Sequence, residues 1–343
     1  MKAKWILSLG LLVTSMGLAT TSAQASSYYS TNPGIIRAKK TVAAYTTATK
    51  SNKTQAIKKG SYAKITKLVS VKGHAPMLQT NTGKYITANK AFVAKTAGYQ
   101  NPKKYYQVQY HQIKPYGKIG YTVKPGYEGI KTWLIMKKMH TTNGYNKYNS
   151  ATAYAVKAFQ RRHHLKATGN VNEATWVKMG YSKHSWTAID SYVAPLGAQA
   201  WQGRSAHIEA MIKQAYKYMG NPYLVGSSTS PKYGTDCSGL VMQALYAGGI
   251  NPLPTSSIHH AFPGNEWNSR NLWAAKKLKK VSYAHKQRGD LVFYYQPGTH
   301  TIWHVAIYLG GGKVIESWPP RIMVQPIRNG QRSYIAGIKR PFI

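Results

Sequence analysis

The sequence predicts a multidomain chain: a small all-β barrel, then a small helical bundle, then an α+β domain. Three observations carry this. Short β-type runs separated by Gly, Asn and Ser-Asn turns fill residues 26–97. Helical stripes with cap residues occupy residues 126–182. Residues 206–343 place helices first and strands later, the α+β order.

Ahead of these, residues 1–25 carry Lys2 and Lys4, an apolar run from Trp5 to Leu18, and Ala23-Gln24-Ala25. This is the layout of a secretory signal peptide. The run is short for a span of about 20 residues and is broken by Ser8, Gly10 and Ser15. Cleavage after Ala25 therefore leaves a secreted, extracellular chain with no membrane anchor.

Charge points the same way. The chain has 47 Lys and Arg against 8 Asp and Glu, a net +39, and no acid precedes Glu128. A hydrophobic content of 43% excludes a disordered basic tail. Such a field calls for a polyanionic partner. The candidates are nucleic acid, anionic lipid and the teichoic acids of a Gram-positive wall, and export argues against the first. Cys237 is the one cysteine, which excludes internal disulfides and leaves a thiol that is either reactive or buried.

In the first domain the β-type segments are Thr41–Tyr45, Tyr62–Val71, Lys84–Ile86 and Phe92–Ala94. Residues 98–125, rich in Tyr, Lys, Gly and Pro, read as a linker. A helical stretch runs from Gly129 to Met139. A second helix carries Thr152, Ala155, Val156 and Phe159, and Asn172 stands where it would cap a third through Trp176 and Met179. Residues 183–205, polar with Pro195 and Gly197, read as a second linker. Beyond it, Ile208, Met211, Ile212, Ala215 and Met219 form an apolar stripe closed by Gly220.

The stretch around Cys237 organises the last domain. Leu240, Val241, Ala244, Leu245 and Gly248 follow Cys237 at helical spacing, Asp236 sits at the N-cap position, and Gly248-Gly249 marks the stop. Cys237 is thus read as the first residue of a core-facing helix, a setting that lowers a thiol pKa when a histidinium is also near. A thiol nucleophile needs a base, and the base needs a third group to fix its tautomer. His304 begins an apolar strand, Gly310-Gly311-Gly312 makes a turn, and the returning strand contains Glu316. An unpaired carboxylate in an apolar strand is costly, which singles Glu316 out. Whether His304 and Glu316 share a face depends on a register that the sequence leaves open. Asp236 would raise the thiol pKa rather than lower it, so it is read as a cap. His300 and His304 flank a strand with no adjacent Glu, so no metal site is expected.

Three resemblances accompany these patterns. Residues Gly60–Ile65 and Gly83–Asn89 resemble Src-homology-type small barrels attached to bacterial wall enzymes. Ala155–Gln160, Leu165, Thr168-Gly169 and Thr175-Trp176 resemble the three-helix peptidoglycan-binding module, which implies glycan or stem-peptide binding. Gly220-Asn221-Pro222-Tyr223, Asp236–Val241, Arg288–Phe293 and His304–Gly310 resemble the NlpC-type cell-wall endopeptidases, papain-like cysteine peptidases of bacteria. That last resemblance spans nearly all of residues 206–343. It implies Cys237 as nucleophile, His304 as base and Glu316 in the third polar position. It further implies that Tyr223 shapes the pocket, and that Asp236 with Ser238 could bind a stem-peptide amine.

The expected function is a secreted peptidoglycan hydrolase that cuts a stem-peptide amide, after D-glutamate, without cofactor. Peptidoglycan and anionic wall polymers are its expected partners, and a monomer its expected state. Two alternatives stand beside it: an N-acetylmuramoyl-L-alanine amidase on the same fold, and a non-catalytic wall-binding protein.

Overall fold

The computed structural model describes residues 27–114, 120–142, 146–252, 268–327 and 334–343. The expected signal peptide lies outside the described residues.

The N-terminal domain is a seven-stranded antiparallel sheet. Its strands are β1 Ile35–Ala38, β2 Val42–Tyr45, β3 Lys53–Ile57, β4 Tyr62–Val69, β5 Met77–Thr80, β6 Tyr85–Thr87 and β7 Val93–Lys95, in the order β3-β2-β6-β5-β4-β1-β7. Four of these fall where the sequence placed β-type runs. β1, β3 and β5 were not marked. Alternate residues such as Ile36, Ala38, Ala63, Ile65, Leu78 and Ile86 form its core, as the period of two requires.

The helical module contains α1 Ile130–Lys138, α2 Ser150–Arg162, α3 Glu173–Lys178 and the short α4 Ser185–Ala188. Asn149 and Asn172 cap α2 and α3, each side chain accepting from the backbone N–H three residues on. α1 carries an unexpected feature on its inner face. Lys131 is fully buried and pairs with Asp190 at 2.8 Å, its ammonium lying 4.1 Å from the Tyr121 ring and 4.2 Å from the Trp186 ring. Burial pushes Lys131 down and Asp190 up, and their mutual attraction opposes both. This pair fastens residues 185–190, which the sequence suggested were linker, into the module. Trp186 and Ile189 are buried there as well.

The C-terminal domain has α5 Arg204–Tyr216, α6 Cys237–Gly248 and α7 Ser269–Ala274. Its six-stranded antiparallel sheet is built from β8 Lys279–Val281, β9 Leu291–Tyr295, β10 Ile302–Gly310, β11 Lys313–Trp318, β12 Arg321–Pro326 and β13 Ile335–Arg340, in the order β12-β11-β10-β9-β13-β8. The stripe expected on α5 is buried at Ile208, Met211, Ile212 and Ala215, whereas Met219, past the helix end, is exposed. Every residue of α6 is buried. Gly249 closes α6 at φ 88°, a left-handed conformation that costs a residue with Cβ.

Residues 98–113 are not a free linker. Tyr99, Val108 and Ile113 enter the C-terminal core, and the Gln109 N–H donates to the Gly249 carbonyl at 2.7 Å. Asn101 donates to Pro341 and accepts from the Ile343 N–H, tying this strap to the chain end. The tyrosines and lysines that made the segment look like surface hide these few apolar anchors.

The helical module also shares material with the C-terminal domain. Leu224 is buried in the module's core, the Gly129 N–H donates to the Val225 carbonyl at 3.0 Å, and the Thr229 hydroxyl donates to the Ile189 carbonyl at 3.1 Å.

Candidate active site

Asp236 adopts the extended backbone of an N-cap, and its carboxylate accepts from the Gly239 N–H at 2.8 Å and the Ser238 hydroxyl at 3.1 Å. Its second oxygen accepts from the Gly226 N–H at 3.0 Å. Cap and loop thus use both oxygens, which ties α6 to residues 226–228. Gly239 makes the fit possible, since a Cβ there would meet the Ser227 carbonyl oxygen at 2.1 Å.

This docking places Cys237 at the start of α6, only 6% exposed, with its thiol directed at the Trp303 carbonyl at 3.9 Å. The Val305 N–H also bonds the sulfur, so Sγ lies against the β10 backbone on both sides of His304. Burial, and next the Asp236 carboxylate, push the thiol pKa up to about 12, with hydrogen bonds from Val305 and Ser238 opposing them. Burial and the Asp236 carboxylate thus act against the lowering expected of a helix N-terminus beside a histidinium.

The register left open by the sequence is now fixed. Ile307 opposes Ile315 across β10 and β11. His304 is three residues before one and Glu316 one residue after the other, so both project to the opposite face from the isoleucines. Nε2 of His304 meets Oε2 of Glu316 at 2.5 Å, with His304 2% and Glu316 0% exposed. A solvent-facing Glu316 is excluded. The contact to Nε2 leaves Nδ1 as the imidazole's second proton site.

Several partners were not foreseen. Gln325 of β12 donates to the other oxygen of Glu316, and the Trp318 ring stands edge-on to His304 at 4.8 Å. Tyr294, opposed to His304 across β9 and β10, lies 5.3 Å from it ring to ring. The only available signal was alternation: Gln325 shares a sheet face with Glu316 once β12 pairs, but that pairing is not visible in sequence.

Cys237, His304 and Tyr223 line one cleft of about 940 Å3. Tyr223 is half-buried, and its bridge to Thr235 holds it next to Asp236 and Cys237. Burial raises its phenol pKa, with the Asp236, Cys237 and Glu128 charges adding to the rise, so it is a neutral O–H donor. Ser238 is buried behind the nucleophile on Asp236. The cleft's remaining wall comes from the helical module, through Trp133, Lys137 and Asn146.

Residues 220–336 match the NlpC/P60 family, residues 140–179 a peptidoglycan binding domain, and residues 28–93 a domain of unknown function, DUF5776. Among curated proteins, the chain is similar to the bifunctional muramidase/DL-endopeptidase CwlT of Bacillus subtilis (strain 168). Identity there is 33% over 132 residues, covering 38% of this chain and 35% of the relative. The probable endopeptidase p60 of Listeria grayi is 31% identical over 141 residues, 40% of this chain and 24% of the relative. The gamma-D-glutamyl-L-lysine dipeptidyl-peptidase of Bacillus subtilis (strain 168) is 30% identical over 139 residues, 40% of this chain and 41% of the relative. The matched part thus spans well under half of each relative's length. Residues 220–336 are an NlpC/P60 domain, set behind a peptidoglycan-binding domain and homologous to cell-wall endopeptidases.

Proposed function

We propose that this chain is an exported cysteine endopeptidase that hydrolyses a peptide amide in the peptidoglycan stem, after D-glutamate. The observation that carries the reading is the buried His304–Glu316 pair beside the Cys237 thiol in one cleft. A buried carboxylate on Nε2 fixes the tautomer that leaves Nδ1 free to act as base, the logic of a nucleophile–base–orienter set.

The thiol starts neutral. As Sγ attacks the amide carbonyl, its proton passes to His304, and Glu316 stabilises the imidazolium that forms. Negative charge on the carbonyl oxygen is met by the Cys237 backbone N–H, one of the partnerless donors of the first helical turn, and by the neutral Tyr223 hydroxyl. His304 then protonates the leaving amine, a thioester remains on Cys237, and His304 activates water to release the acid. The preference for the bond after D-glutamate is supported by the names of two relatives, a DL-endopeptidase and a gamma-D-glutamyl dipeptidyl-peptidase. Asp236 spends its oxygens on the cap and the 226–228 loop, so its part here is to hold Cys237 in place, with Ser238 bonded behind it.

The test is digestion of purified peptidoglycan followed by mass spectrometry of the fragments. Stem peptides opened after D-glutamate are expected from the wild type. Cys237→Ala should release none while still sedimenting with insoluble wall. Fragments freed at the lactyl amide would replace this reading with the amidase, and wall clearance by Cys237→Ala would remove Cys237 as nucleophile.

A further inference from the structure

We infer that the helical module supplies a carboxylate-recognition subsite to the cleft, with Lys137 as its cation, so that the module selects the substrate rather than only tethering the enzyme. The inference rests on the endopeptidase reading above and names what that site accepts.

The wall opposite His304 and Trp318 belongs to a different domain. Trp133 and Lys137 come from α1, and Asn146 from the segment leading into α2. This wall is fixed in place. Leu224, two residues after Pro222 of the cleft, is buried in the module's core, and Gly129 at the head of α1 bonds Val225. At Gly226 an added Cβ would lie 3.0 Å from the Glu128 side chain, so the two domains meet without slack. A groove shared by two docked bodies is a common form of ligand site.

Its chemistry is one-sided. Lys137 is exposed, and its ammonium sits 4.7 Å from the centre of the Trp133 ring. A cation over an indole is held by the ring's quadrupole, which steers a flexible side chain to one place. That contact also occupies one Trp133 face, which argues against this indole serving as an open stacking platform for a sugar. Asn146 is 94% buried at φ 52°, and its Nδ2, itself buried, has no hydrogen-bond partner among the described residues. Lys137 stands on a cleft wall whose lining residues include no Asp or Glu, so the group that suits it is an anion. On a stem peptide that group is a free carboxylate, and the side-chain carboxyl that some walls carry as a primary amide is the natural discriminant.

The experiment uses two synthetic stem peptides that differ only in that group, one a free carboxylate and one a primary amide. Cleavage by the full mature chain gives kcat and KM for each, and calorimetry on Cys237→Ala gives Kd without turnover. Wild type should favour the carboxylate peptide. Lys137→Met should raise its KM and Kd about two- to fivefold while changing kcat less than about twofold, the signature of lost ground-state binding. Lys137→Glu should invert the preference toward the amide. Lys137 is exposed, so neither variant burdens the fold. Equal affinity for both peptides in wild type, or an unchanged ratio in Lys137→Glu, overturns the subsite, as does failure of both peptides to bind. A Lys137-dependent Kd ratio in a chain that cuts neither peptide would instead uphold the subsite and sink the endopeptidase reading.

Discussion

At the scale of single residues, the catalytic reading turns on two buried groups that must change charge together. Glu316 is fully buried with one oxygen on His304 and the other on Gln325. Glu316→Gln keeps the shape but must set an amide between two donors, so one contact becomes donor against donor. A hydrogen bond to a charged group is worth about 1.5–3 kcal/mol. Lost in the transition state, that is about 10- to 150-fold in kcat/KM. Glu316→Ala should fall further, and an alanine variant with wild-type kcat/KM would leave a Cys237–His304 dyad. The thiol makes a second, independent prediction. A folded-state pKa of about 12, above the usual thiol value, means that the thiolate fraction of the resting enzyme climbs about tenfold per pH unit through the alkaline range. Iodoacetamide labelling should follow that slope with no plateau near neutrality. The same shift makes a stability contribution that is whole below about pH 8.5 and is lost as pH rises toward the folded value. Wild type should therefore lose Tm faster than Cys237→Ser above pH 9. A labelling plateau at pH 6–7 would show a preformed thiolate–imidazolium pair instead.

At the scale of elements, what the sequence revealed follows from how local each signal is. α6 was legible from end to end, because its cap, apolar stripe and terminal glycines lie within fourteen consecutive residues, Asp236 to Gly249. The caps Asn172 and Asp236 could be named for the same reason. The hairpin of β10 and β11 was visible, yet its register was not, since that depends on where a bulge falls between Tyr308 and Gly310. Nor could Gln325 be found, because its role exists only once β12 has paired. The burial of Lys131 had no local signal at all, because its partner Asp190 lies far along the chain. One element-level prediction isolates the docking of α6. Gly239→Ala drives a methyl into the Ser227 carbonyl, where backbone rather than a flexible side chain must yield. Overpacking of this kind costs about 1–3 kcal/mol, and here the strain falls on the turn that aims Cys237. Activity should drop by more than the loss of folded protein accounts for. Near-normal kcat/KM in the folded fraction would show that the cleft tolerates movement of the helix start.

At the scale of the whole molecule, the N-terminal sheet packs Tyr62 against the C-terminal core, while the helical module and the C-terminal domain share buried residues. The N-terminal sheet carries 13 Lys and Arg and no acid between residues 27 and 97. None of these residues lines the cleft. The expected work of their charge is to hold the enzyme on anionic wall polymer, and such attraction between exposed charges weakens as salt shortens the screening length to about 8–10 Å. The strap of residues 98–113 looked like the natural place to divide the chain, because its composition is that of surface. Its anchors say otherwise: Tyr99, Val108 and Ile113 are buried among residues of α5 and α6. Two truncations separate these roles. A chain beginning at residue 98 should cut soluble stem peptide at close to the wild-type rate, yet lose the salt-sensitive part of its sedimentation with wall. A chain beginning at residue 126 sheds four buried apolar side chains, Tyr99, Val108 and Ile113 of the strap and Val123 of the helical module's core, and the Gln109–Gly249 bond. Each large buried side chain removed from a core costs about 2–5 kcal/mol, so their combined loss rivals the 5–15 kcal/mol that holds a typical domain together. That shorter chain should melt far lower or fail to fold. Equal Tm for the two would show that the strap only rests on the catalytic domain, and unchanged salt dependence in the first would move wall adhesion from the N-terminal sheet to the helical module.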